Sequence, residues 1–218
     1  MGTQSERSNR RMKRTRQRLR QAFMDVMQEK GFTSMRIQDI TERADVNRGT
    51  FYVHFADKYA LLESISREDF QHLLASKLPS QARWERNTLR LLTQTVFEYV
   101  QAAYGHCHPS NIIDPLLERV IPEELTALLL TWLRRIGSEE RYWRVPKETI
   151  ALSASWTIFG AAIQWSREAT TFSSEQMAND VVLVLMEGMG RLVSDALRER
   201  ATPERHHPSA SSQSIPFV

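Results

Sequence analysis

The chain has 218 residues, of which 41% are hydrophobic, so it can bury a substantial core and form one large domain or a small domain attached to a larger one. Its single cysteine, Cys107, excludes an intrachain disulfide and suits a reducing cytoplasm. No segment approaches the roughly 20 consecutive apolar residues of a membrane-spanning helix, and no signal-peptide pattern follows the charged N-terminus. We therefore expect a cytoplasmic protein with no membrane partner.

The net charge of +3 is distributed unevenly along the chain. Residues 1–60 contain 13 Lys and Arg against 7 Asp and Glu, whereas residues 61–218 contain 16 against 19. A basic N-terminal part joined to a mildly acidic remainder is typical of a nucleic-acid binder with a separate regulatory domain. Charge alone fits a solvated basic tail equally well, so the decision depends on the motifs.

The N-terminal part is predicted to contain four helices. Residues 1–12 are predicted to be a flexible basic arm, because basic side chains alternate there with Gly, Ser, Thr and Asn. From about Lys13, apolar residues recur with helical spacing until Gly31, which is expected to end the first helix. A short second helix follows, then a third from Asn47 to about Phe55 and a fourth that begins at Asp57 and continues to about Leu74.

The remainder is predicted to be entirely helical. Pro79 breaks the chain, and Gly105 to Asn111 is predicted to be a connector. Pro122 is expected to separate two helices, and Ser173 with Gln176 forms a predicted capping box. The predicted helices cover residues 89–103, 113–120, 125–136, 147–167 and 174–199. The predicted organisation is an arm (1–12), a first domain (13–58), a helical second domain (59–200) and a disordered tail (201–218).

The stretch from Ile37 to Lys58 reads I-Q-D-I-T-E-R-A-D-V-N-R-G-T-F-Y-V-H-F-A-D-K. Two short helices joined by a turn of three to four residues form a helix-turn-helix, whose second helix enters the major groove of DNA. The residues that face outward from this second helix can all donate hydrogen bonds, where a merely solvated helix would carry Glu and Lys. They are Asn47, Arg48, Thr50, Tyr52 and His54.

Residues 13–62 resemble the N-terminal domain of the TetR (tetracycline repressor) family. The matching residues are Ile40, Ala44, Val46, Thr50, Phe51, Tyr52, His54, Phe55, Lys58, Leu61 and Leu62. The resemblance implies an all-α protein: an N-terminal three-helix helix-turn-helix head joined to a C-terminal helical ligand-binding and dimerisation domain. It also implies a homodimeric repressor that binds a palindromic operator. Base-reading positions correspond to Gln38, Arg48, Gly49 and Thr50, and phosphate-binding positions to Tyr52, His54 and Lys58.

Two positions depart from the family pattern. Asp45 stands where the family has a turn glycine, although Asp tolerates the left-handed conformation better than most residues. Arg36 stands where the family has a capping Thr or Ser. Arg36 is a candidate phosphate ligand but cannot cap the second helix, a task that Ser34 could perform instead.

The last two helices resemble those that pair in the family as a four-helix bundle between two subunits. The segment from Trp156 to Trp165 is apolar on several sides, which indicates more than one packing partner. Packing within the monomer is the alternative. The predicted interface residues are Trp156, Phe159, Ile163, Val181, Leu185 and Met189.

An effector pocket among the helices of the second domain is implied by the resemblance. The abundance of Met and Trp favours a small hydrophobic or aromatic effector. Ordinary core packing is the alternative for every candidate lining residue. The candidates are Phe70, Trp84, Phe97, Tyr104, Trp132 and Trp156.

Other functions are weakly indicated. The sequence contains no phosphate-binding glycine loop, nucleophile elbow or H-E-x-x-H motif, so we expect neither an enzyme nor a cofactor. Adjacent His106, Cys107 and His108 lack the spacing of a structural zinc site, and His206 and His207 are interpreted as solvated, so no metal site is predicted. A non-specific architectural DNA binder remains the second rival.

Overall fold

The computed structural model describes residues 4–106, 113–136, 143–167 and 172–201. Within these ranges every regular secondary-structure element is an α-helix, which confirms the predicted fold class. The helices are α1 (Gln4–Ser34), α2 (Ile37–Arg43), α3 (Arg48–His54), α4 (Lys58–Lys77), α5 (Arg86–His106), α6 (Ile113–Arg135), α7 (Lys147–Arg167) and α8 (Ser174–Ala201).

The N-terminal three helices and the start of α4 enclose one hydrophobic core. Leu19 and Phe23 of α1, Ile40 of α2, Phe51 of α3 and Leu61 of α4 are all fully buried in it. Each lies on the inner stripe of its helix, because apolar side chains three or four residues apart share one helix face. Helix α3 therefore rests on a packed base, and its opposite side faces solvent.

Two residues with left-handed backbone conformations turn the chain between these helices. Gly31, with φ of 72°, interrupts the long α1, as expected of a helix-ending glycine. Asp45 has φ of 50° in the turn between α2 and α3, so this aspartate does adopt the conformation for which the family uses glycine.

The predicted caps of α3, α4 and α8 are confirmed, whereas that of α2 differs. Helix α2 begins after Arg36, and the Asp39 carboxylate accepts a hydrogen bond from the Arg36 backbone N–H at 2.8 Å. The proposed capping by Ser34 is wrong, because Ser34 is the last residue of α1. This is one half of a capping box, in which an acidic side chain at the third helical position accepts from the backbone N–H of the residue before the helix.

The N-terminal arm is a second correction. Helix α1 begins at Gln4, where the sequence predicted a flexible arm through residue 12. No glycine or proline lies between Gln4 and Lys30. Because extending an existing helix costs far less than nucleating one, the helix anchored by the core from Leu19 onward continues through this basic segment.

Helix α6 is a third correction, because it runs without interruption past Pro122. A proline inside a helix removes one backbone hydrogen bond and costs about 3 kcal/mol. The neighbouring Val120, Ile121, Leu125 and Leu129 are fully buried. Burial of such side chains contributes about 1.5–3 kcal/mol each, which outweighs the cost of the proline.

The second core lies among α4 to α8 and is separate from the first. It includes the fully or nearly fully buried Phe70, Phe97 and Trp132. Helix α6 contributes to both cores, since Leu116 and Val120 pack with the N-terminal helices whereas Leu125 and Trp132 pack in the second core. In the part of the chain described, no helix is long and apolar enough to cross a membrane.

Candidate DNA-binding surface

The N-terminus of α3 is held in place by a compact polar cap. The Asn47 side-chain oxygen accepts hydrogen bonds from the Thr50 backbone N–H at 2.7 Å and from the Thr50 hydroxyl at 3.0 Å. A Cβ at Gly49 would lie 3.2 Å from the same Asn47 oxygen, so a larger residue would press on the cap. In the free protein, Asn47 and Thr50 therefore bind each other, and Gly49 keeps the helix start narrow and open to an approaching surface.

Arg48 is the most exposed cation of α3 and is ordered by its own helix. Its Nη2 and Nε atoms donate to the Tyr52 hydroxyl at 3.1 and 3.3 Å, and its guanidinium carbon lies 5.6 Å from the centre of the Tyr52 ring. A surface pair of Arg48 with Asp45 is a reasonable alternative to base reading, but Asp45 pairs with Arg18 instead, at 3.1 Å. Arg48 thus keeps its charge free of any acid in the described residues.

Arg36 and Gln38 lie at the exposed start of α2, beside α3. Gln38 donates to Glu42 at 2.7 Å. A hydrogen bond from Lys30, aided by the Arg36 backbone N–H, lowers the pKa of the Asp39 carboxyl below its usual value. Asp39 therefore stays ionised and holds the start of α2 at neutral pH.

Lys58, a predicted phosphate ligand, points into the protein. Its ammonium group donates to the backbone oxygens of Phe32 at 2.9 Å and Met35 at 2.8 Å, and it lies 4.6 Å from the centre of the Phe32 ring. The first residue of α4 is thereby tied to the end of α1. This geometry favours a structural role over phosphate binding, because two of the three ammonium hydrogens are already used.

The basic side chains of the first 20 residues, all in the N-terminal part of α1, fall into two groups. Arg16 and Arg20 bind acids of α4, and Arg18 binds Asp45. The others form no ion pair within the described residues and extend along the N-terminal half of α1. These unpaired cations are Arg7, Arg10, Arg11, Lys13 and Arg14.

The candidate pocket residues whose side chains the structure describes do not surround one space. Phe70 and Phe97 are core residues that contact Tyr99 and Trp165, respectively, Trp84 is half-buried, and the side chain of Tyr104 lies outside the described residues. Trp156 is 51% exposed on α7. Among the five whose side chains are described, Trp132 alone borders the open cavity of about 500 Å³ between α4 and α6.

The predicted dimer residues also separate into two groups. Phe159, Ile163 and Val181 are buried within the protomer, which makes them core rather than interface residues. Trp156 is exposed, Leu185 is half-buried, and the side chain of Met189 lies outside the described residues. Leu152 of α7 and Val184 of α8 are exposed apolar residues that were not predicted, because helical periodicity alone does not distinguish such residues from core.

No cluster of metal-ligating side chains occurs among the residues that the structure describes. The candidate residues Cys107, His108, His206 and His207, most of the predicted connector and the predicted tail after Ala201 fall outside them, as does the side chain of His106.

These features define an all-helical protein with an N-terminal helix-turn-helix and a larger helical domain. The second helix of the helix-turn-helix, α3, has an exposed outer face. Residues 19–65 match the family described as "Bacterial regulatory proteins, tetR family". Residues 19–65 are therefore a TetR-family N-terminal domain, which confirms the resemblance predicted from the sequence.

Two comparisons show the extent of the likeness. The uncharacterized HTH-type transcriptional regulator YxbF of Bacillus subtilis is 37% identical over a segment that makes up 34% of this chain and 20% of that protein. A second such regulator of that organism, YvdT, is 36% identical over 27% of this chain and 30% of its own length. The chain therefore spans less than a third of the length of the relatives it matches.

Solved structures share the fold. Thermus thermophilus FadR, a TetR-family transcriptional repressor solved in complex with lauroyl-CoA, is similar with a TM-score of 0.55 at 18% identity, over 89% of this chain and 100% of that one. A TetR transcriptional regulator from Streptococcus agalactiae gives a TM-score of 0.50 at 20% identity, over 83% and 98% of the two chains.

Proposed function

We propose that this chain is a sequence-specific transcriptional repressor of the cytoplasm, which binds a palindromic operator as a homodimer and is released by a small effector. Residues 13–58 form its DNA-binding domain and residues 59–200 its effector-binding and dimerisation domain. The observation that carries the proposal is α3: its inner face is anchored by fully buried Phe51, whereas its outer face presents a charged, unpaired Arg48. A rigid helix with exposed donors is suited to reading bases in the major groove.

The residues of this surface fall into two groups, according to whether they contact base edges or phosphates. Arg48, Thr50 and Gln38 read base edges, and Gly49 allows close approach. Tyr52, His54, Arg36 and the Asn47 amide contact phosphates, with the unpaired cations of α1 adding further phosphate contacts. Binding of DNA then replaces the internal contact of Arg48 with Tyr52 and that of Thr50 with Asn47.

Dimerisation is proposed through the exposed faces of α7 and α8. Leu152 and Trp156 lie one turn apart on α7, and Val184 of α8 is 67% exposed. Exposed Gly160 and Gly188 follow Trp156 and Val184 by four residues, so each helix has a small residue where a partner helix can approach. Two heads held in this way would meet half-sites about 34 Å apart along the DNA.

The function is tested by selecting the DNA fragments that the protein binds from a random duplex pool. The selected fragments are then footprinted. The expected result is a short palindrome protected in two half-sites about one helical turn apart. Recovery of fragments without a shared sequence, protected along their whole length, would instead favour the architectural DNA binder. Light scattering of the free protein at the same concentration checks the dimer independently of DNA.

A further inference from the structure

A cavity of about 500 Å³ lies between the C-terminal half of α4, the connection from α4 to α5, and the C-terminal half of α6. Its volume is within the range of roughly 300–1,000 Å³ that small-molecule sites occupy. Most of its walls are apolar. They include Leu74, Ala75, Leu78, Pro79, Ala82, Ala127, Leu128 and Trp132.

The wall formed by α6 is a single helical stripe. It has six lining residues: Glu124 and the residues three, four, seven, eight and eleven positions after it. Residues with this spacing share one face of a helix. Glu124 and Arg135 stand at opposite ends of this stripe, about 16 Å apart along the helix axis at a rise of 1.5 Å per residue. The cavity thus has an apolar middle and one charged residue at each end.

The positive end carries no ion pair within the described residues. Arg135 donates to the Ala82 backbone oxygen at 3.3 Å, but it forms no ion pair with an acid in the described part of the chain. The adjacent Arg134 pairs with Glu148 at 3.2 Å, and Arg119 of the same helix pairs with Glu63. A guanidinium held at the edge of an apolar cavity, with most of its donors unused, can bind a carboxylate through paired hydrogen bonds.

The opposite end carries excess negative charge. Glu124, Glu123 and Glu63 surround Arg67, and Arg119 is the only other cation that contacts this cluster in the described residues. Glu124 also accepts a hydrogen bond from Gln71 at 2.7 Å. Three carboxylates against two guanidiniums leave an acidic end, which would repel a second negative charge on a ligand.

We propose that this cavity binds a molecule with an apolar body and a single carboxylate, whose carboxylate Arg135 holds while its uncharged end points toward Glu124. One wall of the cavity is α4, the helix that follows directly on the DNA-binding domain. The inference names the chemical class of the effector, and its regulatory meaning rests on the proposed function. A dicarboxylate of the same length would meet a like charge at the Glu124 end. An amine would meet a like charge at Arg135 or, if reversed, would have to compete for a Glu124 carboxylate that Arg67 and Gln71 already bind.

The probes are four molecules with the same ten-carbon body: decanoate, decanol, decylamine and decanedioate, with 1-naphthoate as an aromatic monocarboxylate. Titration calorimetry on the full chain measures their affinities. Arg135→Gln removes the charge but keeps a donor for the Ala82 oxygen, and Arg134→Gln is the matched control because it removes the same charge outside the cavity. Ala127→Trp fills the cavity at an exposed position.

The expected result is that decanoate or naphthoate binds at least tenfold more tightly than the other three probes, as a charge-assisted hydrogen bond implies. Arg135→Gln should lose that preference, Arg134→Gln should keep it, and Ala127→Trp should abolish binding. Equal affinities for decanoate and decanol, equal losses in both arginine variants, or no binding of any monocarboxylate would overturn the proposal.

These outcomes are separate from the test of the proposed function. Operator selection uses no probe, and probe binding uses no DNA. Should carboxylates bind as expected while no shared operator emerges, the cavity assignment stands and the repressor assignment fails. If an operator is found but no carboxylate binds, the repressor assignment stands and the cavity assignment fails.

Discussion

Replacement of Lys58 by methionine distinguishes a structural lysine from a phosphate-binding one. Methionine keeps the length and apolar character of the side chain but removes the ammonium group, which donates to the backbone oxygens of Phe32 and Met35. Those oxygens lie at the junction of α1 and α2, so the change should loosen the attachment of α4 to the DNA-binding domain. If the ammonium is engaged internally, it adds little to the electrostatic attraction of DNA.

The magnitude follows from the contacts. A hydrogen bond that involves a charged group contributes about 1.5–3 kcal/mol, and Lys58 makes two of them while half-buried. Allowing for solvent at the exposed side, we expect the free energy of unfolding to fall by about 2–3 kcal/mol. In a chain of this length that lowers the melting temperature by about 4–12 °C.

Thermal and urea unfolding of the Lys58→Met variant measure the loss, and Lys30→Met serves as its control. Lys30 pairs with Asp39 at the surface at 2.7 Å, a type of contact worth at most about 1 kcal/mol. Operator binding at several salt concentrations gives the second measurement. A phosphate-binding Lys58 would instead leave stability unchanged and reduce the salt slope by about one per subunit, and that result would refute the reasoning.

Three further predictions concern the DNA-binding surface and the dimer. Arg48→Ala should cost about 1–3 kcal/mol of operator binding and relax the preference at one base position per half-site; an equal loss on random DNA would assign Arg48 to phosphate instead. Deletion of residues 1–12 should flatten the salt dependence of operator binding, since it removes three cations per subunit that form no ion pair, and an unchanged slope would contradict a role in DNA binding. Val184→Asp should yield folded monomers in light scattering with unaltered circular dichroism, whereas Asn179→Asp, elsewhere on α8, should remain dimeric; a dimeric Val184→Asp would place the interface on another face.

The local features of the chain followed from its sequence. The bounds of α3 and α7 and the caps formed by Asn47 and Asp57 all depend on residues within a few positions of one another, whereas the left-handed turn at Asp45 was implied by the family resemblance. Hydrophobic spacing and capping chemistry act at this range, so they can be recognised without knowledge of the tertiary structure. The helical extension to Gln4 and the passage of α6 through Pro122 were missed because a buried core elsewhere on the same helix stabilises each of them.

The tertiary structure decided what each exposed or buried side chain does. An apolar stripe does not reveal which helix will cover it, so Ile163 was predicted at a dimer interface although it packs inside the protomer, while Leu152 was overlooked on the exposed face. Lys58 matched a phosphate-binding position, yet its partners are two carbonyl groups 23 and 26 residues earlier. The place of Arg135 at a cavity was decided by the packing of α4 against α6. Whether a cation there has an acidic partner among the described residues depends on acids distant in the chain, and no local pattern in the sequence specifies their positions.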